Sequence, residues 1–474
     1  YPPLPMLVSA ASMWLGSGFD VPTYLAPRYA GMLVAVLSVC ALYGVTRWAT
    51  ASATAGFLAG LVMIGFSQFA AASISNLEPK MLVAFFMLLA GAALQRRRWW
   101  AAGVASALAA TCYWPALLVG VAAFVVSVRG GRRRRIHGVR EFAAGALLGV
   151  LPVVIYLTAT DAWADFWQRV EMVAALRTVG ARLQPLAWLG VIDRHAANER
   201  VFYAAAAIGF SAFAIRSLRG GPAAGFRAWL HPRLAGVPVA TALWIAYACV
   251  DSQGGPDLLP LQPLVAFWAA WGASRLIGLM VSYRRAVGWR ASGAQLALLL
   301  FAAVGVATAA YGFGDAFLYR PAMTLRQQED FVRDLTARAG TPDRVWSFSA
   351  EEVYVLAERR APLPPRIALY TPFLSLVRPG GCGEIVREVV DSNPGAVVIH
   401  GGVLRNCMRS LHSTLVRRGY EPKALEISLR EHASFRPTPS DLRSITWYVY
   451  APSARENSPA TSGARAPLSR RRGY

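Results

Sequence analysis

The chain has 474 residues, of which 55% are hydrophobic and 16% charged, and its formal net charge is +22 at pH 7. A soluble protein of this size could not bury so much apolar surface, so the composition excludes a water-soluble globular fold and predicts an integral membrane protein. In such a protein the positive charge faces anionic membrane lipids rather than nucleic acid, and no basic segment is interleaved with aromatic residues as a nucleic-acid stacking surface would be.

Arginine residues cluster on every second connection between the apolar segments. Short loops rich in Lys and Arg stay in the cytoplasm, so these connections are predicted to be cytoplasmic and the others extracytoplasmic. Both Tyr1 and the polar C-terminal region then lie outside. Because the chain begins with Tyr and shows no signal-peptide pattern, we interpret it as N-terminally truncated, with at least one span missing upstream. The cytoplasmic clusters are Arg96 to Arg98, Arg129 with Arg132 to Arg135, Arg216 with Arg219, Arg227 and Arg233, and Arg284 with Arg285 and Arg290.

The apolar segments predict a polytopic α-helical membrane protein with about ten spans, at roughly 17 to 25 residues each. Residues 99–128 lie between two cytoplasmic clusters and must cross an even number of times, so we interpret them as two short helices broken near Pro115. The outer connection 161–200 carries a pattern typical of an amphipathic helix, which would lie on the membrane surface or pack on the spans. The predicted spans are 28–47, 54–73, 79–94, the pair in 99–128, 141–160, 201–218, 234–250, 258–283 and 292–312.

The periodicity changes after the last predicted span. Strands alternating with helices predict a small extracytoplasmic α/β domain over residues 316–452, without chemistry of its own and with a mainly parallel sheet. Residues 453–474 predict a disordered basic tail. Cys382 and Cys407 would pair in an oxidising compartment, but the sequence leaves this disulfide open. The predicted elements are strands at 344–348, 396–400 and 446–450, and helices at 382–390 and 408–418.

The sequence contains no metal-ligand spacing, phosphate-binding glycine loop or nucleophile motif. Its outer loops carry short motifs instead: Tyr1 to Leu4 with two prolines, Arg28 at the start of a helix, and Asn76 to Lys80 (Asn-Leu-Glu-Pro-Lys) at the start of another. Together with the late segment 257–263 and the small outer domain, this arrangement resembles the GT-C glycosyltransferases of the ArnT and dolichyl-phosphate-mannose mannosyltransferase type. The resemblance covers most of the chain and implies a transmembrane glycosyltransferase domain over residues 1–315.

The resemblance also implies an activity. Such enzymes move one sugar, a hexose or a pentose, from a polyprenyl-phosphate carrier to a lipid, glycan or protein acceptor on the extracytoplasmic face of the cell membrane. It places an essential acidic residue upstream of Tyr1 and a second acidic position at Glu78. The sequence departs from the family at Lys80, where an Asp is common, and at Cys112-Tyr113, where many members carry a Lys.

The residue types at these positions fit a lipid-phosphate donor, which needs an apolar groove next to cations at the membrane surface. Arg28 and Lys80 lie near predicted helix N-termini, where the helix dipole also favours a phosphate, and are the predicted donor-phosphate ligands. Glu78 is the predicted catalytic residue, which would deprotonate the acceptor or hold a divalent metal ion. The structural alternative is an interfacial Glu78–Lys80 ion pair and an Arg28 whose side chain only reaches toward the membrane surface.

Two other functions stay open from the sequence alone. A multi-pass transporter or lipid flippase would place paired ionisable residues near the middle of its spans, and a non-catalytic scaffold would bind a partner through its outer domain. The predicted spans hold almost no such residues. The exception is Arg275, near the middle of residues 258–283, whose side chain would equally reach the cytoplasmic side if that span ends early.

Overall fold

The computed structural model divides the chain into two compact units, Tyr1–Tyr319 and Arg320–Tyr474. The predicted tail 453–474, the loop 251–257 and most of the predicted span 292–312 lie outside the residues that the structure describes. Those residues are 3–19, 21, 25–75, 77–128, 132–164, 166–167, 170–171, 187–195, 199–219, 221–249, 258–287, 303, 305–307, 310, 330, 333, 335, 345–348, 381–400, 407–427 and 445–452.

The described part of the first unit is helical. Short 3-10 turns at Trp114–Ala116 and Pro232–Leu234 join some of its helices. The helices are α1 (Pro3–Ser17), α2 (Ala26–Thr50), α3 (Ala53–Ile64), α4 (Ser67–Ser75), α5 (Pro79–Gln95), α6 (Trp99–Cys112), α7 (Leu117–Ser127), α8 (Arg132–Ala159), α9 (Ala187–His195), α10 (Arg200–Arg219), α11 (Pro222–Trp229), α12 (Val237–Ala248) and α13 (Gln262–Val287).

Helix α2 turns sharply into α3. Ala51 adopts the left-handed conformation with φ 55°, and the Ser52 hydroxyl caps α3 by accepting a hydrogen bond from the Ala55 amide at 3.2 Å. The end of α5 lies beside the end of α2: the Gln95 side-chain amide donates a hydrogen bond to the Val45 carbonyl at 2.9 Å. The ends of α2 and α5 therefore lie together, which agrees with the predicted topology, in which both spans end on the cytoplasmic side.

The predicted single span 54–73 is bent. Its two halves, α3 and α4, meet at an angle of 72°. A residue from far along the chain caps α4 at this bend: the Glu199 carboxylate accepts a hydrogen bond from the Ser67 amide at 2.9 Å. Glu199 is 3% exposed, so this cap is buried in the first unit.

Helices α6 and α8 approach closely and run in the same direction. A Cβ at Gly145 would meet the Trp100 carbonyl oxygen, and a Cβ at Gly149 would lie 2.6 Å from the carbonyl oxygen of Val104. Small residues at such positions let two membrane helices approach to backbone contact. The parallel direction agrees with the prediction that both helices leave the cytoplasmic side, and the break between α6 and α7 occurs at the predicted Pro115.

The centre of the first unit is aromatic. Trp268 of α13 is 1% exposed, and its indole nitrogen donates to the Thr241 hydroxyl of α12 at 2.9 Å. Phe210 of α10 meets Trp268 edge to face and Phe213 meets it at a tilt, each with ring centroids 5.2 Å apart. These contacts hold α10, α12 and α13 together.

Among the described residues, three helices are long and apolar enough to cross a membrane, or four if the bent pair counts as one span. Shorter apolar helices accompany them: α5, α6, the segment that contains α7, and α12. The predicted number of about ten spans stays a prediction.

The second unit contains a four-stranded sheet with the order β1-β2-β4-β3. Its core includes Val397, Val398 and Ile399 of β2, which are fully buried, and Leu411 and Leu415. The elements are β1 (Val345–Phe348), α14 (Gly381–Asp391), β2 (Ala396–His400), α15 (Cys407–Arg417), β3 (Tyr420–Ile427) and β4 (Ile445–Pro452).

The prediction of a mainly parallel sheet is wrong. Only β1 and β2 pair in parallel among the described strands, whereas β4 is antiparallel to both β2 and β3. Strand β3 was not predicted, because Pro422 and the charged residues around it are unfavourable in a strand. The strand lies at the edge of the described sheet, where Pro is tolerated. The Cys382–Cys407 disulfide concerns side chains outside those described and stays a prediction.

Candidate active site

Glu78 and Lys80 lie together at the start of α5, where the chain leaves α4 at Ser75. The helix begins here because Pro79 occupies its first position, at which the missing N–H costs nothing, and Glu78 precedes it in an extended conformation with φ −68° and ψ 126°. Both ionisable side chains are half-buried. Burial raises the pKa of the Glu78 carboxyl above its ordinary value, while the charge and the backbone amide of Lys80 oppose this rise. Glu78 therefore holds its proton more tightly than an exposed Glu.

Lys80 is positioned by an aromatic side chain from another helix. Its ammonium lies 5.1 Å from the ring centroid of Tyr113, within the range of a cation–π contact. Tyr113 follows α6 at the break before the 3-10 turn, and its hydroxyl lies 3.2 Å from the hydroxyl of Tyr247 on α12. The ring of Tyr113, at the predicted break in residues 99–128, thus lies next to the start of α5.

An apolar cavity of about 330 Å³ adjoins this pair. Leu77 and Pro79, the two neighbours of Glu78 in the chain, line one side of the cavity, and the face of α1 lines the other. The α1 residues of the cavity are Pro5, Met6, Ser9, Ala10 and Met13. Pro3, the described proline of the Tyr1–Leu4 motif, therefore belongs to the helix that lines this cavity opposite Leu77 and Pro79.

Arg28 is the third residue of α2 and is exposed. In the part of the chain that the structure describes, its side chain has neither a hydrogen bond nor an ion pair, and no described contact joins it to Glu78 or Lys80. The structure thus brings two of the three predicted site residues together. The role of Arg28 stays a prediction.

The described residues contain no group of three or more His, Cys, Asp or Glu side chains that would hold a metal ion. Glu78 is a single carboxylate in this part of the chain, whereas Mg²⁺ and Ca²⁺ take at least six oxygen ligands. A metal ion at Glu78 stays a prediction.

The sequence did not reveal an aromatic cluster next to Tyr113. Trp114 stacks on Phe166 with ring centroids 6.0 Å apart, and Phe166 meets Trp163 and Trp167 edge to face. Trp163, Phe166 and Trp167 belong to residues 161–200, the predicted outer connection, and aromatic side chains are enriched at membrane boundaries. The residue spacing of that connection predicted a surface helix. It did not predict that Phe166 would pack on Trp114, at the break after α6.

The fold and the site together define a helical membrane protein with a half-buried acidic residue and a cation at one end of a short helix, beside an apolar cavity. No protein-family model matches the chain, and no curated protein sequence matches it. Solved structures do match.

The chain is similar to ArnT from Cupriavidus metallidurans. The similarity to its apo structure has a TM-score of 0.54 at 15% identity and covers 95% of this chain and 87% of ArnT. With ArnT bound to undecaprenyl phosphate, the TM-score is 0.51 at 15% identity, over 97% of this chain and 89% of ArnT.

A second similar structure is the archaeal oligosaccharyltransferase AglB from Archaeoglobus fulgidus, in complex with an inhibitory peptide and a dolichol-phosphate. Its TM-score is 0.55 at 11% identity, over 96% of this chain and 66% of AglB. This chain therefore has the fold of these GT-C membrane glycosyltransferases, which confirms the fold that the sequence resemblance implies.

Proposed function

We propose that this protein is an integral-membrane glycosyltransferase that moves a monosaccharide from a polyprenyl-phosphate carrier to an acceptor on the extracytoplasmic face. The proposal rests on the pair Glu78 and Lys80, half-buried beside an apolar cavity, in a chain with the fold of ArnT and AglB. Structures of those two proteins hold undecaprenyl phosphate and dolichol-phosphate, which supports a donor of the same class.

The donor has an apolar tail and an anionic head, and the site offers a counterpart for each. Met6, Met13 and Leu77 give the cavity an apolar, adaptable wall next to the charged pair. Lys80 would bind the phosphate, because the Tyr113 ring fixes its ammonium at the N-terminus of α5, where the helix dipole also attracts anions. Arg28, at the start of α2, would be a second phosphate ligand.

The reaction forms a bond between an acceptor oxygen and the anomeric carbon of the sugar and breaks the bond from that carbon to the carrier phosphate. The phosphate leaves with the bonding electrons, and the acceptor proton passes to Glu78. A carboxylate with a raised pKa is the stronger base, so burial suits Glu78 to this proton transfer. Lys80 stabilises the negative charge that develops on the leaving phosphate.

The proposal includes a divalent cation as a cofactor. If bound, it would neutralise charge on the donor phosphate. Glu78 would supply one ligand, and no step above depends on the ion. The acceptor is a lipid, a glycan or a protein, and the second unit is proposed to face the same extracytoplasmic compartment.

Replacing Glu78 with Gln tests the proposal, because this change keeps the size and removes the base. Transfer from a polyprenyl-phosphate sugar by the full-length protein is expected to fall by roughly 100-fold or more, the scale of general-base assistance. The matched control is Asp193→Asn, which removes an exposed acidic residue that forms an ion pair with Arg200 in the predicted outer connection. That pair is worth about 0 to 1 kcal/mol, so the control should keep its activity.

Near-normal transfer by Glu78→Gln, at unchanged protein abundance, would show that Glu78 is only an interfacial partner of Lys80. The same assay separates the proposal from its alternative, a transporter or lipid flippase. A flippase moves the lipid-linked sugar across the vesicle membrane without breaking it. A transferase produces one polyprenyl phosphate for each glycosylated acceptor.

A further inference from the structure

A second cavity, of about 420 Å³, lies in the first unit among α2, α10, α11, α13 and the 3-10 turn Pro232–Leu234. Three arginines from three separate elements line it: Arg216 of α10, Arg233 of the turn and Arg275 of α13. His231 adds a fourth basic side chain, and none of the residues that line this cavity is acidic. We call this cavity the basic pocket. It brings together basic residues that lie far apart in the sequence.

The pocket is held in shape by contacts around it. The Gln95 amide donates at 2.9 Å to the Arg233 carbonyl as well as to that of Val45, which ties the turn to α2 and α5. On the other side, the indole of Trp229 donates to the Ser217 hydroxyl at 2.9 Å and joins α11 to α10. The backbone that presents the arginines is thus fixed at two points.

Arg275 is the ionisable residue that stood out in the predicted span 258–283. Its guanidinium carbon lies 5.4 Å from the ring centroid of Trp271, one turn earlier on α13, and the side chain is exposed in the basic pocket. Trp271 and Phe213, both buried, form an apolar floor. The pocket therefore combines guanidinium groups with an apolar wall.

The arginine charges have no acidic partner in the described structure. Arg216, Arg233 and Arg275 are exposed, and none of them forms an ion pair with a residue that the structure describes. Three like charges around one cavity repel each other, and an anion between them removes this repulsion. Guanidinium groups match the geometry of phosphate oxygens through paired N–H donors.

The basic pocket lies at the opposite end of α2 from Arg28. Ala49 lines the pocket, and the 21 residues that separate it from Arg28 span about 32 Å of helix, close to the thickness of the hydrocarbon core. The arginine rule assigns this end to the cytoplasmic side. The pocket is therefore separate from the site at Glu78.

We infer that the basic pocket binds the phosphate headgroup of an anionic phospholipid in the cytoplasmic leaflet. Its guanidinium groups contact the phosphate, and the lipid chains follow the apolar surface that begins at Phe213 and Trp271. A soluble phosphate would use the same cations but has no use for this apolar floor, which favours the lipid. The inference concerns the membrane face away from the candidate active site and stands whether or not the protein transfers a sugar.

The test measures retention of phosphatidylglycerol against phosphatidylcholine by the purified full chain, using native mass spectrometry from mixed micelles. The pocket variant carries Arg216→Gln, Arg233→Gln and Arg275→Gln. Its control carries Arg133→Gln, Arg135→Gln and Arg140→Gln, which removes three exposed arginines of α8 at the same predicted membrane face. In the pocket each arginine is expected to contribute about fivefold or more through direct guanidinium–phosphate hydrogen bonds, so the pocket variant should bind phosphatidylglycerol about 100-fold more weakly. The control removes the same charge but no pocket contact, so its loss should be at least about tenfold smaller than that of the pocket variant.

Equal losses in the two triple variants would overturn the inference, because they would show a general attraction of the basic face. Displacement of phosphatidylglycerol by glycerol phosphate at equal concentration would also overturn it, since the site would then be for a soluble phosphate. Arg275→Lys keeps the charge but not the paired donors, and Arg216→Gln removes one exposed side chain at the end of a helix. These single variants leave the fold intact and should each weaken lipid retention by about fivefold or more; unchanged retention in both contradicts the inference.

Discussion

The close contact between α6 and α8 gives a stability prediction that the structure makes quantitative. An Ala methyl group at position 149 would lie 2.6 Å from the Val104 carbonyl oxygen and 2.8 Å from the Ala107 methyl group, whereas ordinary contacts begin at 3.4 Å. The two helices must therefore separate by about 0.8 Å, and overpacking of this kind costs about 1 to 3 kcal/mol. The matched control is Gly44→Ala on α2, where no atom lies within 4 Å of the added methyl group.

Both substitutions gain the same helix propensity, so the difference between them isolates the contact. The assay follows unfolding of the purified protein in mixed micelles with increasing denaturing detergent, by tryptophan fluorescence. We expect Gly149→Ala to unfold about 1 to 3 kcal/mol more easily than Gly44→Ala. Equal midpoints would refute the parallel, backbone-to-backbone packing of α6 and α8.

Two further predictions concern the site and the topology. Because burial raises the pKa of Glu78 and the deprotonated form is the base, transfer should rise with pH through a midpoint above the ordinary Glu value. Lys80→Met removes the cation that opposes this rise, so the midpoint in a pH–rate profile should move to higher pH; a move to lower pH contradicts the assignment. In a chain without its native cysteines, an impermeant thiol reagent should label Gly254→Cys but not Gly131→Cys in intact cells, and labelling of both from outside would refute the arginine-based topology.

Sequence patterns predicted those features that depend on neighbouring residues. The break near Pro115 follows from the proline itself, and the start of α5 follows from Pro79. The bend between α3 and α4 was not predictable in this way, because its cap comes from Glu199, which lies 132 residues from Ser67 in the chain.

The same limit applies to the two sites. Glu78 and Lys80 are two residues apart, so their pairing was visible in the sequence, but the partner of Lys80, Tyr113, belongs to a different helix. In the sequence, Arg216 and Arg233 served only to predict the membrane topology, and Arg275 was an ionisable residue of unknown role inside a predicted span. Their convergence on one cavity depends on the packing of α10 against α13, which periodicity does not encode.

The short helices next to the candidate active site have a consequence for the surrounding lipid. Helix α5 has 17 residues and α6 has 14, which corresponds to about 26 Å and 21 Å, whereas α2 with its 25 residues is about 38 Å long. A bilayer core of about 30 Å is thicker than the length of either short helix, and thinning of the lipid beside such helices costs a fraction of a kcal/mol for each ångström of mismatch. We therefore expect the membrane to be thinner at the start of α5, where Glu78 lies. Under the proposed function, local thinning would bring the phosphate of a membrane-embedded carrier closer to the Glu78 carboxylate.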